Sequence, residues 1–168
     1  EVKILDIDIT DIQKTIEELG GKLVTKRRLI SADFFDFSDG RFREKHEILR
    51  LRDTGKRKEL VYKCRKEKNT DYKIHKEIET TVDDIGVIKE ILEKIGLDIV
   101  RHSEKYRTTY SLDDCTLEID EYPGIPPLIE IEGTKEGSVR SVVEKLGYDM
   151  SQTTTMNSFD VLKSYRKI

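Results

Sequence analysis

Carboxylates recur at every second position in residues 116–133: Glu118 and Asp120 stand ahead of a Pro/Gly turn, and Glu130 and Glu132 follow it. Lysines and arginines recur at the same spacing elsewhere, as Arg50 with Arg52, Lys63 with Arg65, and Lys105 with Arg107. Glu1 with Lys3, and His75 with Glu77 and Glu79, make two mixed rows. Carboxylate oxygens are ligands for hard divalent cations. Arginine forks grip phosphate oxygens two at a time, and lysine supplies point charge. The competing reading is an ordinary two-faced sheet whose charged side is wet, and the alternation fits both.

The elements that must carry these rows are strands, because a period of two puts alternate side chains on one face. Tyr122-Pro123-Gly124 and Pro126-Pro127 cannot sit inside a paired ladder, so residues 116–133 read as a hairpin. Leu117, Ile119, Ile129 and Ile131 then share its second face. The chain opens with a strand over residues 1–5. A helix striped by Ile12, Ile16 and Leu19 follows, with Thr10 as N-cap and Gly20-Gly21 as stop. Residues 23–28 and 31–37 read as a strand or hairpin. The cluster Phe34, Phe35, Phe37 and Phe42 leaves core and lid both open, and residues 41–47 read as a charged loop.

Strands are expected at 48–52, 60–66 and 73–81, and Asp83-Asp84 caps a helix carrying Ile88, Ile91, Leu92 and Ile95. Strands at 99–101 and 104–110 lead to the hairpin. A helix with Val139, Val142, Val143 and Leu146 follows, then a last helix over 158–165. The endings E-E-L-G-G, E-K-I-G-L and E-K-L-G-Y suggest either a duplicated helix–strand unit or shared capping chemistry.

The 168 residues suit one domain spanning 1–168. A net charge of −3 argues against nucleic-acid binding through excess positive charge. There is no run of membrane-span length and no signal-peptide pattern. Cys64 and Cys115 fit neither a zinc spacing nor a disulfide scaffold. The expectation is a cytoplasmic protein with no membrane or nucleic-acid partner; a homodimer stays open. His46 and His102 read as surface residues, and Tyr62, Tyr106 and Tyr110 as core packing rather than base stacking.

If helices cover the apolar faces, the ionic faces look away from them, which allows an open sheet or a barrel lined with ions. Burying charges dry costs several kcal/mol each, against a total stability of about 5–15 kcal/mol. A closed lumen must therefore be hydrated, cross-paired, or filled by a polyanion and its metal ions.

The ordered motifs resemble the CYTH superfamily, the triphosphate tunnel metalloenzymes. Glu1-Val-Lys3 is similar to the end of the opening E-x-E-x-K motif, Leu49 to Arg52 to L-R-x-R, and Tyr62-Lys63 to T-x-K. Lys76 to Glu79 resembles the E-x-E strand, Lys105-Tyr106-Arg107 the K-x-R strand, and Ile119-Asp120-Glu121 and Glu130-Ile131-Glu132 the two late acidic strands. His75 departs from the usual Arg, and residues 123–127 replace a Gly-containing linker.

The resemblance implies an α+β fold: an antiparallel eight-stranded β-barrel, the triphosphate tunnel, with helices packed on its outside. It implies Mg²⁺ or Mn²⁺ held by Glu77, Glu79, Glu130 and Glu132, with Glu1, Glu118 and Asp120 near. Phosphate would meet Lys3, Arg50, Arg52, Lys63, Arg65, Lys105 and Arg107, and His75 would be a phosphate contact or an acid. No side chain serves as nucleophile. The L-R-L-R strand, the I-D-E-Y hairpin and Asn157-Ser158-Phe159 are closest to class IV adenylyl cyclases. That implies conversion of ATP to cyclic AMP and pyrophosphate, with hydrolysis of tripolyphosphate, thiamine triphosphate or a nucleoside triphosphate as the alternative and a non-catalytic polyphosphate-binding module as the next.

Overall fold

The structure, a computed structural model, describes residues 1–65 and 75–166. The expectations placed on the Arg65 and His75 side chains and on residues 73–74 lie outside what is described. In chain order the elements are β1 (Val2–Ile4), α1 (Ile9–Glu18), β2 (Lys22–Phe37), α2 (Arg41–Glu44), β3 (Glu47–Asp53), β4 (Lys58–Arg65) and β5 (His75–Thr81). There follow α3 (Ile85–Lys94), β6 (Leu97–Leu112), β7 (Cys115–Glu121), β8 (Leu128–Gly133), α4 (Glu136–Lys145), a 3-10 turn (Met150–Gln152), β9 (Thr153–Thr154) and α5 (Ser158–Arg166). The strands form one ladder in the order β5-β4-β3-β2-β6-β7-β8-β1-β9. The registered pairs are antiparallel, as expected. A ninth, two-residue strand joins the eight foreseen, and no pairing among the described residues closes the ladder by hydrogen bonds.

Three local readings change. Of the strand and hairpin alternatives for 23–37 the strand is found, sixteen residues long, and the two pieces expected in 99–110 join into one strand of the same length. Neither Leu29-Ile30 nor His102-Ser103 has turn chemistry, so the alternation runs straight through. The first helix is capped by Asp8, whose Oδ1 accepts the Asp11 N–H at 3.0 Å, and Thr10 lies within the helix. The charged loop contains a short helix, α2, because the buried Asp36 carboxylate accepts the N–H groups of Phe42 at 3.0 Å and Arg43 at 3.1 Å.

The recurring helix endings have two explanations. Gly20, Gly96 and Gly147 all take left-handed φ values, +85°, +95° and +87°, which is shared capping. Beyond that, α1–β2 and α3–β6 are each a ten-residue helix followed by a sixteen-residue strand, so a helix–strand unit occurs twice.

Packing divides the chain into two units: residues 1–28 with 106–166, and residues 29–65 with 75–105. In the first, Val2, Ile4, Leu117, Ile119, Ile129 and Ile131 are at most 2% exposed. They pack against Ile12 and Ile16 of α1 and Val139, Val142 and Val143 of α4. Each such burial contributes about 1.5–3 kcal/mol, enough to decide which face of a strand turns to the helices. A smaller cluster seats α5 through Val161 on Tyr122 and Leu128. In the second unit Phe35, Leu51 and Leu97 pack with Leu92 of α3, and Ile88 joins them. Ile91 and Ile95, expected in that stripe, are 49% and 63% exposed. No helix among the described residues is long and apolar enough to cross a membrane.

Candidate functional site

In the first unit the ladder aligns the acidic rows. Glu118 lies directly opposite Glu130, Lys3 is also paired with Glu130, and Arg107 is paired with Asp120. Since Leu117, Ile119 and Ile129 go to the helices, these ionic side chains share the other face. Arg107 Nε donates to Asp120 Oδ1 at 2.5 Å and its NH2 to Asp120 Oδ2 at 2.6 Å. NH2 also donates to Glu130 at 2.8 Å, and NH1 to Glu118. Lys3 donates to Glu1 and lies 3.3 Å from Glu130.

The cross-pairing is what makes this burial tolerable: Asp120 is 0%, Lys3 1% and Arg107 7% exposed. Burial pulls the Lys3 ammonium down, but Glu130 and Glu1 outweigh it and hold its pKa above the ordinary value. Burial likewise opposes the Arg107 charge, and Asp120, Glu118 and Glu130 overcome it, so Arg107 stays protonated. Four carboxylates, Glu1, Glu118, Asp120 and Glu130, face the two buried cations Lys3 and Arg107. Glu132 shares this strand face but is exposed, near the end of β8.

In the second unit the ladder puts Arg50 opposite Val61, Arg52 opposite Glu59, and Lys63 opposite Glu77. Leu49, Leu51 and Leu60 turn to α3, so the basic row again occupies the other face. Arg52 Nε donates to Glu59 at 2.7 Å, and its NH2 is 3.9 Å from Glu79. Lys63 pairs with Glu77. Lys105 lies in β6, half-buried.

Sequence reasoning missed several members. Glu59 is 2% exposed and held between Arg52 and Arg57, the latter at 2.7 Å; its position opposite Arg52 after a short turn was the available signal. Arg28 follows the β2 alternation onto the ionic side, and its Nε is buried with no hydrogen-bond partner among the described residues. Phe34 leaves the aromatic core, pairing with Arg50 in the ladder and stacking under Arg101 at 3.7 Å. Of the tyrosines, Tyr110 is core at 3% exposed, Tyr62 packs edge-on to Phe42 at 6.0 Å, and Tyr106 is 40% exposed. Tyr106 departs from the core expectation because Arg27 stacks on it at 3.6 Å while holding Glu121 at 2.8 Å. A cavity of about 370 Å³ lies beside the β3–β4 turn, against Thr81 to Asp83, and involves none of the expected site residues.

The donor set of the first unit fits a hard divalent cation in chemistry, since its ligand atoms are all carboxylate oxygens. The carboxylates are turned to Arg107 and Lys3, however. Among the described residues no three acidic, imidazole or thiol groups already converge as a coordination sphere.

Helix-covered antiparallel strands whose other face pairs acids with bases define a class of ion-handling sheet. The chain belongs to the CYTH domain family, matching that domain over residues 1–157. Over 132 residues it is 29% identical to a Methanocaldococcus jannaschii protein provisionally named an adenylate cyclase, covering 79% of this chain and 74% of that one. A solved structure from Vibrio parahaemolyticus, also provisionally named an adenylate cyclase, is similar with a TM-score of 0.84 at 12% identity, over 96% of this chain and 95% of that one. A Hippeastrum protein provisionally named an adenylyl cyclase, and described as revealing a dominant triphosphatase activity, gives 0.67 at 20% identity, over 98% and 95%. At these identities the structural likenesses establish the fold: an antiparallel CYTH sheet with helices outside.

Proposed function

We propose that this protein is a divalent-cation-dependent enzyme acting on triphosphates, and that its reaction converts ATP to cyclic AMP and pyrophosphate. The observation that carries this reading is the largely buried cluster of Glu1, Glu118, Asp120 and Glu130 around Lys3 and Arg107, in a chain of the CYTH family. Glu118 and Glu130 are the residues best placed to hold Mg²⁺ or Mn²⁺, with Glu1 beside them; Glu77, Glu79 and Glu132 remain candidates from the motif resemblance. The bound cation would neutralise phosphate charge and polarise the phosphorus under attack.

The remaining chemistry belongs to the chain's own side chains. Arg50, Arg52 and Lys63 would grip phosphate oxygens, Arg52 through the NH1 edge that Glu59 leaves uncovered. Lys3 and Arg107 hold the acidic oxygens in place, and Lys105 adds positive charge. No side chain is assigned as nucleophile. In cyclisation the ribose 3′-oxygen bonds to the α-phosphorus, its proton leaves to solvent, and the bond to pyrophosphate breaks. ATP as substrate places the enzyme in the cytoplasm, and size-exclusion chromatography would tell whether it works as a homodimer.

Hydrolysis is the second reading, favoured by the triphosphatase activity ascribed to the Hippeastrum protein. There water attacks the terminal phosphorus. One assay separates these readings: the protein is incubated with ATP and with tripolyphosphate, each with Mg²⁺ or Mn²⁺, and the products are resolved. Cyclic AMP is the expected product from ATP. Orthophosphate from tripolyphosphate, with no cyclic AMP under either metal, would replace cyclase by triphosphatase. Tight metal-dependent binding without turnover would leave a polyphosphate-binding module.

A further inference from the structure

Arg107 holds its three carboxylates in two different ways. Asp120 is fully buried, is the cross-strand partner of Arg107, and takes Nε and NH2 as a fork at 2.5 and 2.6 Å. The contacts to Glu118 and Glu130 use the other edge of the guanidinium and reach carboxylates whose side chains are 21% and 12% exposed. Those two glutamates are directly opposed in the ladder. Like charges so placed repel, and a cation between them relieves the repulsion. In this structure the cation is Arg107.

We propose that Arg107 is an anion donor released by the metal: when Glu118 and Glu130 take a divalent cation, they let go of the outer edge of Arg107, while Asp120 keeps the guanidinium in place. The freed N–H groups then donate to phosphate oxygens. An N–H committed to a carboxylate cannot also serve a phosphate, so without the cation Arg107 contributes little to anion binding, although it is fully charged. This rests on the triphosphate reading and adds to it a coupling between cation and anion that runs through one side chain. Lys3, held by Glu1 and also near Glu130, is the neighbouring charge that faces the same oxygens.

The coupling is measurable without turnover. Tripolyphosphate binding is followed by titration calorimetry on the full chain, first in EDTA and then with Mg²⁺. Wild type, Glu118→Gln, Arg107→Lys and the double variant are compared. Glu118→Gln removes one holder of NH1 and is expected to tighten binding in EDTA by about tenfold, the worth of one regained charge-assisted hydrogen bond. On the Arg107→Lys background the same change should tighten binding by no more than about twofold, because lysine keeps the charge but has no second edge held out by a fork. An equal gain on both backgrounds would mean charge alone and would overturn the proposal, as would no gain in Glu118→Gln. Failure of wild type to bind tripolyphosphate even with Mg²⁺ would instead remove the triphosphate reading. If Arg107→Lys does not fold, ¹⁵N resonances of the Arg107 side chain decide. On adding Mg²⁺ the terminal nitrogens should shift while Nε, held by Asp120, stays; terminal nitrogens that stay put would refute the release.

Discussion

Replacing Asp120 by asparagine tests whether the acidic cluster stabilises the fold through Arg107. Asp120 is 0% exposed, and both its oxygens accept from a guanidinium that is itself 7% exposed. Asparagine keeps the shape but one acceptor only, so its amide N–H₂ faces an Arg107 N–H and neither finds an acceptor. Removing one partner of a buried pair costs about 3–5 kcal/mol. Glu118 and Glu130 still hold Arg107, which argues for the lower end, about 3 kcal/mol. In a chain of this length each kcal/mol moves the midpoint by about 2–4 °C, so the melting transition should fall by about 6–12 °C. The measurement is calorimetric melting at pH 7 in EDTA, so that no cation compensates. A midpoint within about 2 °C of wild type would refute the argument, because it would mean that the Arg107–Asp120 fork contributes nothing net. Glu132→Gln is the internal comparison: its side chain is exposed, and its effect should stay within about 0.5 kcal/mol.

Arg52→Ala should raise KM for a triphosphate and lower kcat, and should also cost about 2 kcal/mol of stability, since Glu59 keeps only Arg57; unchanged kinetics would make the basic row structural. Turnover should vanish in EDTA, and Glu77→Gln and Glu132→Gln should lose activity while melting near wild type, because both side chains are exposed and a partly exposed ion pair such as Lys63–Glu77 contributes little. Full activity in EDTA, or an unfolded variant, would count against this. The Asp33–His102 pair should make stability pH-dependent. Asp33 Oδ1 accepts a hydrogen bond from His102 Nδ1 at 2.7 Å, which raises the His102 pKa. That contribution is therefore complete below the ordinary histidine value of about 6.5 and is lost as pH rises through the raised folded value. Burial pushes Asp33 up, but His102 and Lys89 outweigh it and hold it low, so its contribution is lost only in acid, as pH falls through the lowered value. His102→Gln should flatten the melting profile on the alkaline side; a profile identical to wild type would show that the pair adds nothing.

The period of two was legible in the sequence because it belongs to the extended backbone and survives any arrangement of strands. It separated Leu49 and Leu51 from Arg50 and Arg52, and Leu117 and Ile119 from Glu118 and Asp120, and the structure keeps these separations. Helix ends were legible for the same local reason, since a left-handed glycine acts within one turn. Which acid meets which base was not legible. Arg107 finds Glu130 across 23 positions, and Lys3 reaches Glu130 from the far end of the chain. Such pairs depend on the register between strands that only the assembled ladder sets. The same holds for Glu59, which no motif singles out and which the pairing of β3 with β4 buries against Arg52. Alternation told which residues face each other's side of the sheet. Tertiary structure decided that the carboxylates surround two buried cations, because that arrangement exists only where several strands contribute side chains to one small volume.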